Sequence, residues 1–217
     1  MSDSTPTRGG DVAVRDALLV LLVNGPAYGF QLHGDLAART GGRRVVNAGQ
    51  TYATLDRLTT QGLVEPAGST DDGLPLHRLT PAGRVAADAW LSGADGAGAD
   101  PWHESVDRVL IAVSMPSVDA EPVIDAERER WRRRRDRAGA SAAAGGRAGD
   151  ADPRARLAAA ATTAEIARAD AMLAWLGGIV ASDLDAAAFA PSTERPRRGR
   201  RPARPRTGAE DHASADA

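Results

Sequence analysis

Residues 12–23 are apolar at most positions, and Asn24-Gly25-Pro26 follows directly. This pattern predicts a first helix stopped by glycine and proline. Over residues 28–40, Leu32 and Leu36 stand four apart, with Gln31, Asp35 and Arg39 on the other side and Gly41-Gly42 after them. That is the mark of a second amphipathic helix. A third is expected from about residues 47–49 to Gln61. Tyr52, Leu55 and Leu58 would lie on one stripe and Gln50, Thr54, Arg57 and Gln61 on the opposite one, before Gly62.

The period then changes. Short runs at 63–66 and 74–79 flank the turn-forming residues 68–73, which predicts a two-stranded hairpin. Thr80-Pro81 supplies an N-cap and a first-turn proline for a fourth helix, with Val85, Ala89 and Trp90 expected to face inward. Residues 93–100 contain nothing larger than Asp and read as a linker. Beyond it, Trp102, Val106, Val109, Leu110 and Val113 make an apolar stripe, and a highly charged helix is expected over about 118–138. A last helix from Pro153 to about Ala181 carries Ile166, Ala169, Leu173, Leu176 and Val180 at spacings of three and four, widened by Met172, Trp175 and Ile179. So broad a stripe needs a partner, either a second subunit or the Trp102 helix of the same chain. The expected organisation is a lead (1–10), a head (11–92), a linker (93–100), a helical region (101–190) and a tail (191–217). Lead and tail lack apolar period and are expected to be disordered.

The 217 residues are 42% apolar and 26% charged, which fits a folded chain of one or two domains. The absence of cysteine excludes disulfides, thiolate metal sites and cysteine nucleophiles. His33, His77, His103 and His212 are not paired as metal ligands would be, and no phosphate loop, nucleophile elbow or paired-carboxylate motif is visible. Neither an enzyme nor a metal or cofactor is expected. The longest apolar run, 17–23, is too short for a membrane span, so a cytoplasmic protein without membrane contact is expected.

Three helices, a hairpin and a fourth helix within about eighty residues form the layout of a winged helix-turn-helix, whose third helix enters the DNA major groove. On that reading Gln50, Thr51, Thr54 and Arg57 face DNA, Gln suiting adenine edges and Arg guanine edges. The plain alternative is the solvent face of an ordinary helix. Arg43, Arg44 and Arg78 are further cations for phosphate, with His77 on the wing. The fold class expected is therefore mainly α, a winged helix-turn-helix head followed by a helical dimerisation region and a tail.

Particular motifs carry a family resemblance. Residues 17–22 followed by Gly25-Pro26-Ala27-Tyr28-Gly29-Phe30-Gln31-Leu32, then Gly49-Gln50-Thr51-Tyr52-Ala53-Thr54-Leu55-Asp56-Arg57-Leu58, and finally Gln61-Gly62-Leu63-Val64 with Arg78-Leu79-Thr80-Pro81-Ala82-Gly83 resemble the signatures of PadR-like transcriptional regulators. The likeness covers roughly residues 13–92. It implies a DNA-binding homodimer, usually a repressor, that joins through C-terminal helices and often answers to a small aromatic effector. Tyr52 resembles the family tyrosine that contacts the DNA backbone, although it also extends the Leu55 and Leu58 stripe. The chain departs from the pattern at Thr51-Tyr52-Ala53, where the family has Leu-Tyr-Pro. It departs again at the acidic wing Asp71-Asp72-Gly73, with His77 where Tyr is common.

Charge location sharpens these expectations. The formal net charge is −2 and every basic residue is arginine; residues 1–100 carry an excess of acid, and 191–217 an excess of arginine. The arginines of 130–135 lie among Glu127, Glu129 and Asp136 and read as a solvated, paired face. In the tail, Arg198, Gly199, Arg200 and Arg201 resemble a minor-groove hook, in which glycine lets an extended backbone approach while arginines insert. Looser phosphate attraction, or no DNA role, are the alternatives. Trp102, Trp131 and Trp175 are candidates for an effector pocket or for plain packing. The functional expectation is a dimeric repressor on a pseudo-palindromic operator, joined through Ile166, Leu173, Leu176 and Val180. The competing one is a winged-helix module that docks protein through its acidic wing.

Overall fold

Residues 17–22 are buried on every side, which places the first helix, α1 (Arg8–Leu21), at the centre of the molecule rather than on its surface. Burying one such leucine contributes about 1.5–3 kcal/mol. In the computed structural model, which describes residues 8–94, 99–145, 153–182 and 187–196, α1 tightens into a 3-10 turn over Leu22–Asn24. Gly25, at φ 119°, then turns the chain into a two-residue strand, β1 (Ala27–Tyr28). Next come α2 (Gly29–Arg39), α3 (Ala48–Thr60), β2 (Val64–Ser69), β3 (Pro75–Leu79) and α4 (Pro81–Leu91).

The sheet has three antiparallel strands in the order β1-β3-β2. Val64 pairs with Leu79, Glu65 with Arg78 and Pro66 with His77, and the register shifts before Ser69 meets Pro75. The expected hairpin is present, and β1 adds a strand to it, with Ala27 opposite His77 and Tyr28 opposite Leu76. Two residues are too short to show alternation, so no sequence period announces β1.

Helix ends follow local chemistry. Asn47 caps α3: its Oδ1 accepts the Gln50 N–H at 2.8 Å, while the Gln50 side chain accepts the Asn47 N–H at 3.4 Å, a reciprocal capping box. Thr80 caps α4 and also ties it to the sheet, through its N–H to the Leu63 carbonyl at 3.0 Å and its hydroxyl to the Gly62 carbonyl at 2.7 Å. That close approach selects the buried face of α4. Gly83, Ala87 and Trp90 are buried, whereas Val85 and Ala89, expected to face inward, are exposed.

The helical region consists of α5 (Pro101–Ser114), α6 (Ala120–Gly145) and α7 (Pro153–Ala181). α6 runs well past the expected end near Ala138, because alanine sustains a helix without apolar contacts. α5 joins two cores. Ile111, with Met115 just beyond the helix, packs with the α1 leucines and Trp90, while Val106 and Val109 pack with Ile124, Trp131, Ala169, Met172 and Leu176. Buried charge strengthens the join. Arg108 is fully buried, lies over the Trp90 ring at 4.9 Å, and bonds Glu127, which also accepts from Ser105 Oγ at 2.6 Å and Arg130 at 2.9 Å. Trp90 Nε1 donates to Glu104 Oε2 at 2.6 Å.

The α7 stripe turns back on its own chain, since Ala169, Met172 and Leu176 are buried against α5 and α6. Most of the lead, linker residues 95–98, and the tail from Arg197 onward, including Arg198, Gly199, Arg200 and Arg201, lie outside the described residues.

Candidate nucleic-acid interface

The turn between α2 and α3 is built by Thr40, whose hydroxyl donates to the Leu36 carbonyl at 2.7 Å and accepts the Arg44 N–H at 3.1 Å. Gly41 and Gly42 follow at φ 58° and 77°, a backbone region that glycine enters freely. Arg43 and Arg44, expected as cations for phosphate, instead pair with Asp107 of α5 at 3.2 and 2.5 Å, and Arg43 also meets His103 Nδ1 at 3.0 Å. Asp107 is 1% exposed, so these arginines compensate a buried carboxylate and hold the turn against α5.

α3 presents a different face from the one its pattern suggested. Thr51 (0% exposed), Thr54 (5%), Leu55 and Leu58 are buried, which corrects the expectation that Thr51 and Thr54 face outward. These four positions follow the i, i+3, i+4, i+7 rhythm. Threonine can occupy a helix's inner face because its hydroxyl bonds a carbonyl one turn back, as Thr54 does to Gln50 at 2.8 Å. Tyr52, expected on the apolar stripe, is 43% exposed, with its ring against Gly29, where a Cβ would come within 2.4 Å of Tyr52 Cε1. The outer face is therefore Gly49, Tyr52, Ala53, Asp56, Arg57 and Thr60. Arg57 lies along the helix, its Nε donating to the Ala53 carbonyl at 3.2 Å and Nη2 to Thr54 Oγ1 at 3.3 Å. Gln50 is half-buried and takes part in the capping box.

On the wing, Arg78 pairs with Glu65 at 2.7 Å, both half-exposed. His77 is half-buried, and burial pushes its imidazole below the usual value against the opposing pull of Asp56. Its Nδ1 is buried without a hydrogen-bond partner among the described residues, so His77 faces the sheet's underside as a neutral group.

One part of the site had no sequence signal. Residues 187–196, largely expected to belong to a disordered tail, form a strap across the head. The Phe189 N–H donates to the Ser114 carbonyl at 3.1 Å, and Arg39 donates to the Phe189 carbonyl at 2.9 Å with its guanidinium 4.2 Å from the Phe189 ring centre. The Ser192 N–H donates to Asp35 Oδ1 at 2.8 Å, and the Tyr28 hydroxyl donates to the Glu194 carbonyl. Arg195 then lies over the Tyr28 ring at 5.1 Å and reaches Asp72 of the wing at 3.2 Å. Burial raises the Asp35 carboxyl above its ordinary value, with the Ser192 N–H and Arg39 acting against it. The strap is fixed by hydrogen bonds to backbone and by two guanidinium–ring contacts, none of which leaves a periodic pattern.

In the helical region, a cavity of about 620 Å³ opens between the end of α5, the start of α6 and the end of α7. Ala112, Val113, Met115, Ile124, Ile179 and Val180 supply apolar wall, and Arg128, Asp119, Glu121 and Asp125 supply charge. None of the three tryptophans expected to form a pocket lines it. Trp102 and Trp131 pack edge to face at 6.1 Å, Trp131 Nε1 donates to Ser105 Oγ at 2.8 Å, and Trp175 lies in the same core. Among the candidate interface residues, Leu176 is buried within the chain, Ile166 and Leu173 are half-buried, and Val180 is 55% exposed.

Among the described residues, no group of three or more His, Asp or Glu is placed to hold a metal, and no helix is long and apolar enough to cross a membrane.

A helix-turn-helix completed by a three-stranded wing and a following helix, with one face of α3 outward, is a winged helix-turn-helix. Residues 18–89 match the family described as "Transcriptional regulator PadR-like family", and this part of the chain is a PadR-like domain. The family is one of regulators of transcription, not of enzymes. No curated protein matches the chain. Similar solved structures include a transcriptional regulator from Clostridium thermocellum, 23% identical over 35% of this chain and 73% of that one, with a TM-score of 0.33. Another is Bacillus subtilis PadR in complex with operator DNA, 18% identical over 82% of this chain and 99% of that one, with a TM-score of 0.35. The same protein in complex with p-coumaric acid is 18% identical over 78% and 97%, with a TM-score of 0.33.

Proposed function

We propose that the protein is a dimeric DNA-binding repressor whose α3 helices enter successive major-groove faces of a pseudo-palindromic operator, about one helical turn apart. The observation that carries this reading is the outer face of α3, where Tyr52, Ala53, Asp56, Arg57 and Thr60 are exposed beside the wing of a PadR-like domain. Arg57 is the candidate for guanine and Gln50, at the N-terminal end of α3, for adenine. Tyr52 and Arg78 are candidates for the backbone. Thr51 and Thr54 support the helix from inside, and Arg43 and Arg44 hold the turn. His77 keeps the wing seated. Arg198, Gly199, Arg200 and Arg201 add a minor-groove or phosphate contact in the tail.

Dimerisation uses the apolar surface that α7 leaves outward, Val180 at 55% and Leu157 at 72% exposed, together with the half-buried Ile166 and Leu173. A small aromatic effector occupies the α5–α6–α7 cavity, whose volume falls in the range of small-molecule sites. The solved complex of Bacillus subtilis PadR with p-coumaric acid makes a phenolic acid the first compound to try. Because α5 is common to both cores, a ligand that moves α6 and α7 shifts the head through Arg108. The protein-docking alternative rests on the acidic wing, and Arg195 already pairs with Asp72 there.

Fluorescence anisotropy against duplex from the gene's own upstream region, with random duplex as control, tests the reading. Tight, salt-sensitive binding to the first over the second is expected, weakened by an effective phenolic acid. Equal affinity for both duplexes at every salt concentration would remove the repressor reading. Mass measurement in solution checks the dimer.

A further inference from the structure

The strap reaches a point that none of its own residues announces. Its last anchors, Tyr28 and Asp72, belong to the N-terminal end of α2 and to the wing. Gly29, next to Tyr28, is in turn the seat of the Tyr52 ring at the N-terminal end of α3. Tyr52, Gly29, Tyr28, Arg195 and Asp72 therefore form one continuous line of contacts from the outer face of α3 to the wing. Arg195 occupies the middle of that line, and its side chain is 51% exposed. A guanidinium has five N–H donors in a flat fork, and the contact to Asp72 engages Nη1. The remaining donors can serve a second acceptor.

The wing itself is short of cations. Asp71 and Asp72 stand in its turn, and Arg78 is paired with Glu65. An unmodified acidic wing repels the phosphates it would have to approach, whereas a guanidinium laid across Asp72 reverses the local sign.

We propose that the strap is a working part of the DNA-contacting surface: Arg195, seated on the Tyr28 ring and paired with Asp72, donates to a backbone phosphate of duplex DNA between the N-terminal end of α3 and the wing. This rests on the DNA-binding reading above and adds a contact supplied from outside the PadR-like domain. It also assigns a purpose to the anchoring of residues 187–196. Asp35, Arg39 and Tyr28 fix the strap's path, so that a cation more than a hundred residues away in sequence reaches the wing in a set position.

Arg195→Ala tests this in the full chain, since a half-exposed side chain can be removed without opening the core. Anisotropy titrations over a salt series on upstream and random duplexes are expected to show roughly three- to ten-fold weaker binding on both. The slope of log affinity against log salt should fall by about 0.9, the release expected for one phosphate contact. The same loss is expected in an Asp72→Asn background. If Arg195→Ala has no effect there, the guanidinium only masks Asp72 and the phosphate contact is overturned. Tighter binding by Arg195→Ala would make the strap a cover over the surface, which also overturns the proposal. Binding by the parent protein that Arg195→Ala leaves unchanged removes the strap contact alone. Failure of the parent to bind any duplex removes the DNA-binding reading with it.

Discussion

At Gly83 a Cβ would lie 1.9 Å from the Leu63 carbonyl oxygen, a backbone atom that cannot turn aside. Gly83→Ala must push α4 off the sheet, and a loss of about 2–3 kcal/mol in chemical denaturation is expected. Gly34, inside α2, has nothing within 4 Å of its Cβ position, so Gly34→Ala should stabilise by about 0.5–1 kcal/mol. An equal response of the two variants would contradict the packing described. A similar contrast separates residues on α3. Arg57→Ala is expected to weaken operator binding about ten-fold and leave the unfolding midpoint nearly unchanged, as loss of one base contact does. Thr54→Val, whose side chain is buried and bonds Gln50, should instead lower stability by about 1 kcal/mol. Binding and denaturation measured on both variants check the division between the outer and inner faces.

The N-terminus of α5 is fixed by Asp100, which accepts from the Trp102 N–H at 2.8 Å and from Arg168 of α7 at 2.5 Å. The Arg168 hydrogen bond is the main reason its carboxyl is lowered to about 2 from the ordinary 3.8. A value lower in the folded state than in the unfolded one means that the contribution is complete above about pH 4. It is lost as pH falls through the interval between 3.8 and 2. Solvent reaches both partners, so the gain is modest, well under what the shift alone would convert to. Asp100→Asn retains a good N-cap but removes the charge. Urea unfolding at pH 5 and at pH 3 should show a smaller acid loss in the variant than in the parent. An identical acid loss would mean that the α5–α7 clasp adds nothing.

Head and helical region are joined by charge that neither could bury alone. Arg108 is fully buried between Trp90 of α4 and Glu127 of α6, with Glu104 at 3.8 Å and the Ala94 carbonyl at 3.3 Å. Removing one member of such a pair is costly because the other remains in a medium that solvates it poorly. Glu127→Ala is expected to destabilise by about 3–5 kcal/mol. Because α5 belongs to both cores, calorimetry should show one transition in the parent and one, at lower temperature, in the variant. Two separate transitions in the parent would mean that the regions unfold independently, and residues 93–100 would then act as a true hinge. The same continuity makes effector control of the head mechanically reasonable.

What the sequence determined by itself were the features that repeat locally. The order of helices, the hairpin, the Thr80-Pro81 cap and the apolar stripes of α1 and α7 follow from period and turn chemistry, and the motifs between residues 17 and 83 carried the family. Tertiary structure decided matters for which local sequence offers two equivalent answers. Thr51 and Thr54 are polar by composition yet buried, because a helix supplies its own acceptors for their hydroxyls. Arg43 and Arg44 look like free cations until Asp107 of α5 meets them, and α7 could have faced another subunit until α5 and α6 covered its stripe. The strap was invisible for the deepest reason. It holds by single hydrogen bonds and two guanidinium–ring contacts between residues up to 166 positions apart, and such contacts impose no period on the chain that makes them.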